Sequence, residues 1–108
     1  MIQATFNYHH HQITGFQLKG HANAGEYGND IVCAAVSALA INTINSLEQL
    51  AHVKFHLIQD SENGGFMAVN IDHTHFNDEK AHLLLESLKL GLCEIEKSYG
   101  KYVKVNQK

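Results

Sequence analysis

The sequence predicts a single α+β domain, a mixed and largely antiparallel sheet packed by two helices in the order β-β-α-β-β-α-β. Three observations carry this. Segments 2–8, 13–19, 53–59 and 66–72 are short, apolar and alternating, and they pair off around polar turns. Two longer stretches, 31–51 and 78–99, carry apolar residues at helical spacing. Strand pairs set apart from helices make a layered α+β domain. A chain of 108 residues, 44% hydrophobic and 18% charged, has room for one core, so residues 1–108 form one domain.

The elements follow in order. His9, His10, His11 and Gln12 lie between the first two strands and read as an exposed hairpin turn. Gly20 and His21 end the second strand. The loop 22–29 holds Gly25 and Gly28, which tolerate positive φ, and one bulky residue, Tyr27, which folds back on the domain or lines a substrate groove. Such a loop is expected to close over a bound peptide. Asp30 precedes the apolar run and reads as the N-cap of the first helix. Val32, Ala35, Ala38, Leu39, Ala40 and Ile41 leave that helix little polar face, so it is expected to be a buried central helix.

Residues 61–65 (Ser-Glu-Asn-Gly-Gly) turn the second strand pair. His73 and His75 share one strand face in this reading; with Asp72 they are weak grounds for a metal site, and none is assigned. Asn77 reads as the cap of the second helix, whose stripe runs through Ala81, Leu84, Leu85, Leu88, Leu92, Ile95 and Tyr99. Cys93 lies beside the stripe as a packing residue, while Leu83 and Leu90 fall off it and suggest a subunit contact. Gly100 stops the helix before a last strand at 102–105.

Composition excludes several function classes. No signal peptide opens the chain, and the apolar stretches read as too interrupted to cross a membrane, so a soluble cytoplasmic protein is expected. The net charge is −3 and arginine is absent, which disfavours nucleic-acid binding and favours a protein or peptide partner. The two cysteines stand sixty residues apart, outside any CxxC or disulfide pattern, which fits a reducing compartment.

Chemistry concentrates at Cys33 and His21. With Asp30 as cap, Cys33 falls in the first helical turn, where free amides favour an anion such as a thiolate. A helix end contributes about 1 kcal/mol, under one pKa unit at roughly 1.4 kcal/mol each. From a reference near about 8.5 that leaves the thiol mostly protonated, and the Asp30 charge opposes ionisation. A base that takes the proton is needed, and His21 at the other end of the loop is the candidate. Ser37, four residues after Cys33, shares its helix face. Against this stands a structural reading, in which Cys33 is a small core residue in an alanine-rich helix.

Gly20-His21-Ala22, followed by Asp30-Ile31-Val32-Cys33-Ala34-Ala35-Val36-Ser37, resembles the signature of the ribosomal-processing cysteine protease family (Prp). The similarity runs on through Glu48. The resemblance implies a bacterial cytosolic endopeptidase, without cofactor, that removes the N-terminal extension of a large-subunit ribosomal protein. It implies Cys33 as nucleophile, His21 as base and a homodimer. Asp30 and Ser37 match the motif as supporting residues. The rival class is a non-enzymatic, ribosome-associated protein-binding module with a structural Cys33.

Overall fold

The computed structural model describes residues 1–20, 27–60 and 65–107. Strand β1 (Ile2–His9) and β2 (Gln12–Lys19) form an antiparallel hairpin, followed by helix α1 (Tyr27–Gln49). Strands β3 (Phe55–Asp60) and β4 (Phe66–Ile71) pair antiparallel, and a short 3-10 turn at His73–His75 leads into helix α2 (Glu79–Tyr99) and strand β5 (Val103–Gln107). The sheet order is β3-β4-β2-β1-β5; only the β1–β5 pair is parallel. This is the mixed α+β sheet that the sequence predicts.

Both helices pack on one face of the sheet. Ile2, Ala4 and Phe6 of β1, Phe16 and Leu18 of β2, and Val69 and Ile71 of β4 join Val32, Val36, Leu85 and Leu88 in one core. The intervening positions Gln3, Thr5, Asn7, Gln17 and Asn70 clothe the helix-free face. There Asn106 Nδ2 donates to Gln3 Oε1 at 3.0 Å and Asn7 Nδ2 to Asn70 Oδ1 at 3.4 Å.

The alternation in β2 is imperfect for a physical reason. Asn7 opposes Gly15 but Tyr8 opposes Ile13, so Thr14 is an extra residue and the hairpin carries a bulge. The bulge lets Ile13 and Phe16, three apart, both reach the core, where each is fully buried. Phe16 meets Phe6 with ring centroids 6.3 Å apart.

Helix α1 departs from the expectation of a buried central helix. It buries one stripe, Val32, Val36, Ala40, Thr43 and Leu47, while Ile31, Ala34, Ala38 and Ile41 are exposed. The sheet and α2 cover one side of the helix, and among the described residues nothing covers the other. The buried Thr43 hydroxyl donates to Leu39 O at 2.8 Å. Residues Ile31–Gln49 are also long and apolar enough to cross a membrane by length and composition, contrary to the sequence reading. The interrupting residues, Ser37, Asn42, Thr43, Asn45 and Ser46, are uncharged, and the buried stripe binds this helix to the sheet.

Two smaller expectations are also corrected. His73 and His75 lie in the 3-10 turn and not on a strand, because the Asp72 carboxylate accepts the Thr74 amide at 3.2 Å and curls the chain. The Thr74 hydroxyl and amide, with lesser help from His73 and His56, hold the Asp72 carboxyl below its usual range. The cap of α2 is Asp78 and not Asn77, its carboxylate accepting the Ala81 amide at 2.9 Å. Leu83 and Leu90 are exposed, as their off-stripe positions predict.

The β1–β2 turn rests on His10 and His11 at φ 50° and 67°. A two-residue hairpin loop with both φ positive has the type I′ pattern, which Asn-Gly adopts with least strain. Replacing His10-His11 by Asn-Gly is expected to stabilise the protein by about 1 kcal/mol, a rise of about 4–8 °C in Tm on thermal denaturation.

Candidate active site

A cleft of ≈ 480 Å³ opens between the first half of α1 and one end of the sheet. Three polar and reactive groups reach it from different elements: Cys33 and Ser37 from α1, and Asp60 from the end of β3. Leu18, Val36, Phe66 and Met67 give it an apolar lining, and Ile2, Gly20, Gln59 and Gly65 complete the wall. Cys33 is half-buried, packed against the core on one side and open to the cleft on the other. Ser37 follows one helical turn later, so the i,i+4 spacing delivers both side chains to the same space. Cys93, also half-buried, lies on α2 and does not line this cleft.

The end of β2 is fixed by backbone geometry. Gly20 has φ +84°, and its N–H donates to Gly65 O at 3.0 Å, tying β2 to the start of β4. A Cβ on Gly20 would stand 2.7 Å from the Met1 carbonyl oxygen. Residue 20 therefore has to be glycine on two counts, backbone angle and space. It is also the residue immediately before His21, so the chain already lines the cleft one residue after β2 ends.

Helix α1 begins at Tyr27, which corrects the reading of its N-terminus. Asp30 is the fourth helical residue and not the N-cap. Tyr27 and Gly28 belong to the first turn and not to the loop. Cys33 is consequently the seventh residue, about 9 Å along the axis from the helix start at 1.5 Å per residue. The free amides of a helix belong to its first four residues, and its end field fades within the first turn. Cys33 stands beyond both, so the helix end offers it neither a free amide nor a strong field. His21 and Gly25 lie outside the described residues.

Sequence reasoning missed Gln59, Asp60, Phe66 and Met67. They reach the cleft because β4 pairs with β2 in a register that sets Phe66 opposite Lys19 and Asp60 opposite Phe66. That pairing joins segments about fifty residues apart and leaves no local signal. Among the described residues, no three of the His, Cys, Asp and Glu side chains converge in a way that would hold a metal ion.

Comparisons with known proteins agree with this geometry. The sequence model of a family described as cysteine protease Prp matches residues 1–104. A ribosomal processing cysteine protease Prp from Bacillus subtilis (strain 168) is 34% identical over 108 residues, covering 97% of this chain and 96% of the relative. A crystal structure from Streptococcus mutans superposes with a TM-score of 0.93 at 41% identity, covering 99% of this chain and 93% of the other. The structure of Prp from S. aureus, an essential ribosomal processing protease in complex with a covalently linked product peptide, superposes with a TM-score of 0.87. It is 31% identical, with full coverage of both chains.

Gly20→Ala forces a left-handed backbone onto a side chain with no room for it. It is expected to cost about 1–3 kcal/mol, read as a lower Tm, and to lower turnover as the wall beside Cys33 shifts.

Proposed function

This chain belongs to the cysteine protease Prp family and is a cysteine peptidase. From that premise we propose that it removes the N-terminal extension of a bacterial large-subunit ribosomal protein in the cytoplasm, using a Cys33–His21 dyad and no cofactor. The observation that carries this reading is the opening of Cys33 and Ser37 into a cleft walled by Gly20, the neighbour of His21. A core-packed structural cysteine would have no such opening, and the S. aureus relative holds a covalently linked product peptide.

The chemistry follows from the groups present. His21 takes the Cys33 proton, and the thiolate attacks the scissile carbonyl carbon to form a tetrahedral adduct. As the C–N bond breaks, the imidazolium returns the proton to the leaving amine. A water molecule, deprotonated by His21, then hydrolyses the thioester and releases the thiol. Ser37 presents its hydroxyl to the bound peptide one turn from the nucleophile. Asp30, three residues before Cys33 in α1, sustains the imidazolium by its negative charge. Gly25, Tyr27 and Gly28, in the stretch between His21 and Cys33, support peptide binding.

Incubating the enzyme with the extended ribosomal protein should yield one shortened product, read as the mass of its new N-terminus. Cys33→Ala and His21→Ala should each abolish the cut while keeping the wild-type Tm, and the double variant should be little worse than either. Independent, multiplicative losses would dismiss the dyad. Asp30→Asn should lower kcat/KM without moving Tm; unchanged kcat/KM would remove its electrostatic role.

The family resemblance also implies a homodimer, and α1 offers the surface for it. Ile31, Ala34, Ala38 and Ile41 recur at steps of three and four along its exposed side, an apolar seam whose central alanines permit close approach of a second helix. Ala38→Arg is expected to turn the dimer into a monomer in sedimentation velocity. A dimer that persists in this variant assigns the contact elsewhere, with Leu83 and Leu90 next in line.

A further inference from the structure

We propose that the outer edge of β3 is a docking rail for the substrate peptide, which adds to the sheet as a sixth strand and is led by it to Cys33. The inference rests on the peptidase reading above. It begins from a difference between the two edges of the sheet. The β5 edge is closed: Lys104 is exposed on it, and the Val105 amide donates to Glu96 Oε2 at 2.8 Å. From Phe55 to Gln59 the β3 edge has no such protection among the described residues. Five of its six residues are exposed, Leu57 by 41% and Ile58 by 60%. Its sequence, Phe-His-Leu-Ile-Gln-Asp, holds neither lysine nor proline, and its register with β4 is unbroken from Phe55 to Asp60.

An open, regular, apolar edge invites a partner strand, and proteins normally blunt such edges. Here the edge leads somewhere. Its last two residues, Gln59 and Asp60, are walls of the cleft that holds Cys33 and Ser37. A peptide hydrogen-bonded along β3 therefore arrives in extended form beside Gln59 and Asp60, at the mouth of the cleft. Six residues at about 3.3 Å each give a rail of about 20 Å. The peptide main chain supplies the hydrogen bonds. Leu57 and Ile58 point to opposite faces of the pleat and meet alternate side chains of the peptide.

A second copy of the chain is the competing occupant, and the geometry disfavours it. Two β3 strands paired antiparallel over their full length would lay the partner's backbone beside Gln59 and Asp60, at the mouth of the cleft. The seam on α1 already offers a second copy a self-matching surface.

The test uses a synthetic peptide spanning the processed junction of the extended ribosomal protein, with a set of versions each N-methylated at one residue. N-methylation deletes one amide donor and adds bulk where the amide faced β3. On one side of the scissile bond, KM should rise about tenfold at every second residue and stay near the parent value between. Ile58→Lys should raise KM several-fold while kcat, Tm and the alkylation of Cys33 by iodoacetamide stay unchanged. Losses confined to the residues flanking the scissile bond, or without a period of two, overturn the proposal. So does an Ile58→Lys variant that becomes monomeric with unchanged KM, which gives the edge to a second copy. A parent peptide neither cut by the enzyme nor bound by Cys33→Ala overturns the peptidase reading and the rail together.

Discussion

The pairing of β2 with β4 is the interaction on which the rest of the molecule depends. Five residue pairs join the strands, from Gly15 opposite Asn70 to Lys19 opposite Phe66. At Gly15 the backbones approach so closely that a Cβ would stand 2.5 Å from Val69 O. This contact splices two hairpins that are separate in sequence into one sheet. Its last step, the Gly20 amide on the Gly65 carbonyl, brings the end of one hairpin beside the open end of the other. Without it, Cys33 would face a wall built from β1 and β2 alone, with neither Asp60 nor Phe66 across from it.

The same splice explains how the surface is divided. A sheet with both helices on one face has to dress the other for water, and it does so mainly with amides and threonine, with Lys19 and Lys104 on either side of Gln3. Its strand order leaves β3 farthest from the helices. β3 is consequently the least buried strand, with Phe55 its only half-buried residue. The cleft thus sits where the helical layer ends and the sheet projects past it. A peptide can approach there without displacing any part of the core.

Much of this was legible in the sequence, because it depends on local period. The strands, both helices, the histidine turn and the placement of Cys33 and Ser37 on one helix face all follow from spacing. The misreadings have distinct physical causes. Gly28 and Asn29 have poor helix propensity, so the pattern points to a helix start at Asp30, whereas the chain is already helical at Tyr27. Alanine fits a buried or an exposed helix face, so the exposed seam of α1 read as core. Asn77 and Asp78 are adjacent and equally good caps, and composition does not choose between them. The second wall of the cleft was not legible at all. It is set by a register between distant strands, and no short stretch of sequence encodes which strand becomes whose neighbour.

The parallel pairing of β1 with β5 has a consequence for how motion reaches the cleft. Ile2 opposes Val103, and its amide donates to Tyr102 O at 2.8 Å, closing a loop of about a hundred residues. Long closures form late in folding, and a terminal strand held along one edge is a natural site for partial opening, since only that strand has to be released. Ile2 is also a wall of the cleft, and Met1 presses its carbonyl against Gly20. Detachment of β5 would therefore release the first residues of β1 and loosen the floor of the cleft from behind. In hydrogen-exchange terms, the amides of β5 and those lining the cleft would belong to one cooperative unit, so the two ends of the chain act as a latch on the site.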